Sequence, residues 1–275
     1  MNLLEEYQQM NKRIGFIGCG KMAQAMIEGI LSSNLLQPEK IMISAKSEAT
    51  VEKVKNKYKV LTANSNKEVA SWADFLFLAV KPDQHTEIIN EIKETISDHT
   101  IIITIAAGIS LQALEKVFGR KIKAVRSMPN TPSLVGEGMS AISGNPSVTD
   151  EEMSEVLTIF RSFGKVELLS EALMDSVPAI SGSSPAYVYL FIEALADGGV
   201  KAGLPRDQAY RLGAQAVLGA AKMVLETGIH PGELKDQVCT PGGATIEAIS
   251  SLEQHGFRGA ILQAMDTCHK KTKSL

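Results

Sequence analysis

Hydrophobic positions follow two rhythms along this chain, and the rhythm changes once. Over residues 13–170, short β-rich runs alternate with amphipathic stretches. The runs RIGFI (13–17), KIMIS (40–44), KVLT (59–62), DFLFLAV (74–80), TIIITIA (100–106), KAVRSM (123–128), MSAIS (139–143) and GKVELLS (164–170) predict eight strands. Between them, Met22, Met26, Ile27, Ile30 and Leu31 line one face of a predicted helix. Ile88, Ile89, Ile92 and Ile96 line a second, over 85–97. DFLFLAV and TIIITIA are apolar almost throughout, as expected of central parallel strands covered on both faces. The alternation predicts an α/β fold opening with a Rossmann-like, doubly wound parallel sheet.

After residue 171 the strands stop. The sequence divides into a dinucleotide-binding domain over 1–171, with 1–12 as a polar leader, and an all-helical domain over 172–275. The helical stretches 185–203 and 206–228 are rich in Ala and Gly and apolar around much of their circumference. One small helical domain has too little interior for them, so a homodimer that packs them between subunits is expected.

Composition narrows the classes. A formal net charge of −3 with scattered Lys and Arg gives no basic stripe, which argues against nucleic acid. Cys19, Cys239 and Cys268 fit neither a disulfide framework nor a metal pattern, and they suit a reducing cytoplasm. No apolar run is long enough to span a membrane. The leader lacks a signal-peptide core, and Met10 offers a second start.

IGFIGCGKMA (14–23) places Gly18, Gly20 and Ala23 at the spacing of the dinucleotide fingerprint, between a predicted strand and a predicted helix. Gly18 permits the tight turn, Gly20 lets backbone approach a pyrophosphate, and Ala23 keeps helix and sheet close. An acidic residue at the end of the second strand would select NAD; Ser44-Ala45-Lys46-Ser47 supplies hydroxyls and a cation instead. NADPH is therefore the expected cofactor, with NADH as the alternative. Asn66, Ala79-Val80-Lys81-Pro82, Ala106-Ala107-Gly108 and 128–132 fall at later strand ends, where such sheets bind ligands.

Ordinary catalytic groups are few. The five histidines show no metal spacing and read as surface or turn residues, and Ser184 before a proline reads as a helix cap. A dinucleotide site without an acid–base pair suits reduction of an already protonated imine. The stretch TPGGAT (240–245) opens an apolar helix near the end of the chain. Its residues alone leave two readings open. Backbone N–H groups there cradle a carboxylate, or Thr240 caps the helix and Thr245 bonds its own backbone.

Taken together, GFIGCGKMA, FLAVKP, RSMPNTP and the long stretch 181–245 resemble pyrroline-5-carboxylate reductases, in the same order and over nearly the whole chain. The resemblance implies NAD(P)H-dependent reduction of 1-pyrroline-5-carboxylate to proline, the last step of proline biosynthesis. It also implies a helical domain that interlocks in a dimer, with dimers joining into larger rings, commonly decamers. By position, Gly18, Gly20, Lys21 and Met22 are expected along the pyrophosphate. Ser44 and Lys46 are expected at the adenosine ribose, where members often carry Arg in place of Lys46, and Asn66 further along it. Ala79, Lys81 and Pro82 fall near the middle of the cofactor, and Ala106, Ala107 and Gly108 near the nicotinamide. The substrate would meet Thr240, Gly242, Gly243 and Ala244, with the Thr245 hydroxyl at the imine nitrogen. Two other readings compete: a hydroxyacid reductase using Lys222 or Lys235, and a non-catalytic NADP sensor. A cofactor-and-substrate panel separates them.

Overall fold

The computed structural model describes residues 10–273. Most of the predicted leader therefore lies outside the described residues; at its end, the Met10 amide donates to the Leu35 carbonyl at 3.1 Å. All eight strands form: β1 (Ile14–Ile17), β2 (Ile41–Ser44), β3 (Leu61–Thr62), β4 (Phe75–Leu78), β5 (Ile101–Thr104), β6 (Lys123–Met128), β7 (Gly138–Gly144) and β8 (Gly164–Leu168). The helices between them are α1 (Lys21–Ser32), α2 (Glu48–Tyr58), α3 (Asn66–Trp72), α4 (His85–Ile92), α5 (Leu111–Phe118) and α6 (Asp150–Arg161). After β8 come α7 (Ser184–Lys201), α8 (Arg206–Thr227), α9 (Pro231–Val238), α10 (Ala244–Gln254) and α11 (Phe257–Thr272).

The strands form one sheet in the order β3-β2-β1-β4-β5-β6-β7-β8. Strand order reverses at β1, which has β2 on one side and β4 on the other, both parallel. That reversal opens a crevice at the carboxyl ends of the strands. The expected parallel arrangement breaks at one pair, because β7 runs antiparallel to β6 with Met128 opposite Ala141. The connection between them holds only a short helical turn at Thr131–Val135, too little chain for a crossover helix. α6 supplies a crossover afterwards, so β8 lies parallel to β7.

Strand alternation splits the core into two layers. Phe75 and Phe77 of β4 point into a cluster with Phe16, Phe160 and Phe163, while Leu76 and Leu78 point into the other with Ile89, Ile102 and Leu114. The Phe16 and Phe77 rings stack at 4.7 Å, and each fully buried phenyl contributes about 2–3 kcal/mol of transfer free energy. α1 lies close to the turn between α6 and β8, since a Cβ on Gly29 would stand 2.3 Å from Phe163 Cβ.

Two helix ends depart from expectation. α4 stops at Ile92, well short of 97, although Ile96 remains buried beyond it. Ser184 is the first residue of α7 rather than its cap. The chain enters α7 from a helical turn at Pro178–Gly182, whose Ser183 amide closes onto the Pro178 carbonyl at 2.7 Å, so no extended cap residue exists there.

The chain forms two compact units. The first contains the sheet, runs to Ser183 and resumes at Cys268; the second is Ser184–Thr267. The segment after β8 stays with the sheet because Met174 and Val177 pack on Ala141, and the Asn130 amide donates to the Ser181 carbonyl at 3.0 Å. The second unit is helical throughout and buries little of itself. Gly199 packs against Ala209 and Gly213 against Leu195 where α7 meets α8. Meanwhile Tyr189, Leu190, Leu212, Leu218, Leu225 and Leu262 stand exposed. No helix of the described residues is long and apolar enough to cross a membrane.

Candidate active site

Gly18 sits at φ +88°, its amide bonded to the Ser44 carbonyl at 2.9 Å, just beyond the end of β1. A side chain there would meet the Ala79 carbonyl oxygen at 2.6 Å, so the turn admits only glycine. Gly20 is the N-cap of α1, with no protein atom within 4 Å of where its Cβ would stand. No side chain caps α1, and its first turn holds no acidic residue. The amides of Lys21, Met22 and Ala23 therefore have no intrahelical acceptor and face an open side, which is where backbone donors and the helix dipole hold a phosphate. A pyrophosphate fits this cradle. Neighbouring Cys19 is buried, and burial alone pushes its thiol up to about 12, which makes it a packing residue.

A cleft of about 510 Å³ continues from Gly18 past Ser44, Lys46, Asn66, Val80 and Glu91. The Ser44 hydroxyl donates to Asn66 Oδ1 at 2.8 Å, and Asn66 Nδ2 donates to Glu91 at 2.7 Å. Asn66 thus has a fixed orientation at the start of α3, whose cap is Ser65. Lys46 is exposed at the mouth. Two carboxylates line the same cleft, Glu87 and Glu91, and Glu91 is turned toward Asn66.

The loops after β4 and β5 lie at the same edge of the sheet. The Ala79 amide bonds the Ile17 carbonyl at 2.8 Å, which ties this loop to β1. Lys81 and Pro82 start a helical turn into α4. Ala106 is buried and its amide donates to Thr104 Oγ1 at 3.2 Å, while Gly108 turns at φ +79°. Between the two loops stands His85, which the sequence placed on a surface or turn. It is 3 % exposed, with Nδ1 at 3.0 Å from the Lys81 carbonyl and Nε2 at 2.9 Å from Thr104 Oγ1. Its place at the start of α4, four residues after Lys81, is the only sequence signal that could have pointed to it.

TPGGAT belongs to the helical unit. Pro241 and Gly242 form a turn with φ +69° at Gly242, and the Gly243 amide closes it onto the Thr240 carbonyl at 3.0 Å. Gly243 is the N-cap of α10, and a Cβ on it would stand 2.3 Å from Thr240 Oγ1. The expected donor set shifts by about one residue. Gly243 spends its N–H inside the turn, whereas the first-turn amides of Ala244, Thr245 and Ile246 have no helical acceptor. Thr240 does not cap the helix, because α10 has no side-chain cap. Nor does Thr245 bond its own backbone: among the described residues its hydroxyl makes no hydrogen bond. Thr227, at the end of α8, and Thr267, within α11, each have a helical carbonyl four residues back and bond it, at Met223 and Gln263. Thr245 in the first turn has no helical carbonyl four residues back.

The competing lysines lead elsewhere. Lys222 pairs with Glu226 at 3.4 Å, and Lys235 with Asp236, both on the helical surface. Among the described residues no cluster of His, Cys, Asp or Glu could hold a metal ion.

A sheet that reverses at a glycine turn, with an uncapped helix behind it and loops gathered at its carboxyl edge, defines a dinucleotide-binding protein of the Rossmann type. Residues 13–108 match the family described as NADP oxidoreductase, coenzyme F420-dependent, and residues 171–275 match pyrroline-5-carboxylate reductase dimerisation. The chain belongs to the pyrroline-5-carboxylate reductase family. It is 46 % identical to the pyrroline-5-carboxylate reductase of Escherichia coli, over 97 % of this chain and 99 % of that one. It is 40 % identical to the Methanosarcina acetivorans enzyme, over 96 % and 98 %. The crystal structure of the Plasmodium falciparum pyrroline carboxylate reductase with NADP bound superposes with a TM-score of 0.89 at 35 % identity, covering 97 % of this chain and 99 % of that one.

Proposed function

We propose that this chain reduces 1-pyrroline-5-carboxylate to L-proline, the last step of proline biosynthesis, with NADPH as the hydride donor. NADPH supplies one hydride to ring carbon 5 of the protonated imine; the C=N pair becomes the lone pair on nitrogen, and the product is a secondary amine. The observation that carries the reading is the start of α10. Three first-turn amides without acceptors suit a small carboxylate, and beside them the Thr245 hydroxyl is left without a partner. Thr245 is free to hold the ring nitrogen and orient the iminium, which is positioning and electrostatics rather than covalent catalysis. The dinucleotide unit holds the cofactor through Gly18, Gly20, Lys21 and Met22 at the pyrophosphate and Ser44, Lys46 and Asn66 at the 2′-phosphoribose. Ala79, Lys81, Pro82, Ala106, Ala107 and Gly108 line the way to the nicotinamide.

The second unit is read as a homodimer interface, because its exposed leucines form an apolar surface too large for a monomer to leave wet. Rings of such dimers, up to a decamer, would be read from the mass of the native particle. Three unpaired thiols suit the cytoplasm.

The test is NADPH oxidation with 1-pyrroline-5-carboxylate beside a panel of other cyclic imines and 2-keto acids. Turnover confined to the pyrroline substrate is expected, and better turnover on a keto acid would overturn the reading. Thr245→Ala should lower kcat about tenfold or more while NADPH affinity stays unchanged. Unchanged kcat would remove Thr245 from the mechanism.

A further inference from the structure

His85 links the loop after β4 to the loop after β5, and the chemistry of its partners fixes every proton in the link. The Lys81 carbonyl can only accept, so Nδ1 carries the ring hydrogen and donates at 3.0 Å. In the neutral ring Nε2 must then accept, so the Thr104 hydroxyl donates to it at 2.9 Å. Thr104 Oγ1 in turn accepts the Ala106 amide at 3.2 Å. The Thr104 carbonyl is held separately by the Ser127 hydroxyl at 2.9 Å, so it does not compete. Burial holds the imidazole below its ordinary value, outweighing the Lys81 carbonyl and the Asp83 charge that would raise it, which favours this one neutral tautomer.

We propose that His85 and Thr104 are positioning residues for hydride transfer. The directed chain from the Ala106 amide through Thr104 and His85 to the Lys81 carbonyl sets the spacing between the loop beside the middle of the cofactor, 79–82, and the loop beside its nicotinamide, 106–108. The inference rests on the reading that residues 79–82 and 106–108 lie at those two places. Neither residue touches cofactor or substrate; both act through the backbone they hold. A buried chain of this kind is satisfied only as a whole, so loss of the Thr104 hydroxyl leaves the Ala106 amide unmet and loss of the His85 ring leaves the Lys81 carbonyl without its donor. The phosphate end of the site is built from Gly18, Gly20, Lys46 and Asn66, none of which joins this chain.

The experiment compares kcat and the NADPH KM with the affinity for 2′,5′-ADP, which occupies only the adenosine half. Thr104→Val keeps the shape and removes the hydroxyl. It should lower kcat by about ten- to a hundred-fold, as expected for misplacement near 1 Å, with 2′,5′-ADP affinity unchanged. Thr104→Ser should restore kcat. His85→Asn, which keeps a donor for the Lys81 carbonyl but removes the acceptor for Thr104, should repeat the Thr104→Val split should that variant fold poorly. Ala107→Leu serves as the direct control on the loop. Wild-type kcat in Ala107→Leu would overturn the placement of the nicotinamide and the inference with it. Impaired Ala107→Leu beside wild-type Thr104→Val and His85→Asn would overturn the inference alone. Equal loss of 2′,5′-ADP affinity in those two variants would reduce the chain to general scaffolding and also overturn it.

Discussion

Gly18 and Gly20 stand two residues apart in one fingerprint, yet the structure gives them separable roles. Gly18→Ala would place a methyl at φ +88°, 2.6 Å from the Ala79 carbonyl oxygen and 2.7 Å from Val80 Cγ1. Left-handed backbone costs an L-residue about 1–2 kcal/mol. Relieving the clash means moving the backbone after β4, at about 1–3 kcal/mol more. The apo protein should therefore lose roughly 2–5 kcal/mol of stability. Gly20→Ala differs, because Gly20 sits at φ −72° with nothing within 4 Å of the new carbon. Its folding stability should stay within about 0.5 kcal/mol of wild type. The new methyl stands on the open face assigned to the pyrophosphate, so NADPH should bind about tenfold more weakly or worse. Urea unfolding of the apo protein, run beside a fluorescence titration with NADPH, reads both quantities. Normal NADPH affinity in Gly20→Ala would refute the cradle, and a large loss of apo stability there would refute the assignment of its open side.

Lys46→Ala should raise the NADPH KM about tenfold, as for loss of one charge-assisted contact at an exposed site, and leave the NADH KM unchanged. Parallel losses for both cofactors would mean that Lys46 does not read the 2′-phosphate. Leu218→Glu, on the exposed face of α8, should shift the native particle toward monomer in size-exclusion chromatography with light scattering, and an unchanged mass would move the interface elsewhere. His85 should leave a mark on stability against pH. Its folded value lies below the ordinary 6.5, so the unfolded chain binds more protons in the window beneath that value. Stability is then full above about pH 6.5 and declines as pH falls toward the folded value. His85→Asn should flatten that decline in urea midpoints, and an identical slope would show that another group titrates.

The strands were legible because their apolar runs are long and bounded by turn residues, and the fingerprint because glycine spacing and context coincide. The antiparallel β7 was not legible from strand patterns alone. The apolar pattern of MSAIS carries no direction, and orientation follows from the short connection at 129–137. His85 escaped because burial of one polar side chain depends on elements distant in sequence, the end of β5 at Thr104 among them. The Gly243 amide escaped for the opposite reason, since a local turn consumed a donor that motif spacing leaves available. Ser184 was misplaced because Ser-Pro suits a cap, and the preceding helical turn has no strong local signature.

The first unit is assembled from both ends of the described chain. Where it breaks off at Ser183 and where it resumes at Cys268, Ser183 Oγ and Cys268 Sγ lie 3.3 Å apart, and His269 Nδ1 reaches the Asp175 carbonyl at 3.0 Å. The helical unit is in topological terms an insertion whose two ends are pinned side by side. A chain cut after Ser183 would strip the sheet unit of its returning segment, buried Thr272 included. A short peptide splice from Ser183 to Cys268 would instead keep that unit whole. Local unfolding of the insertion leaves a closed loop rather than a free tail, and the cost of holding that loop's ends together grows only slowly with its length.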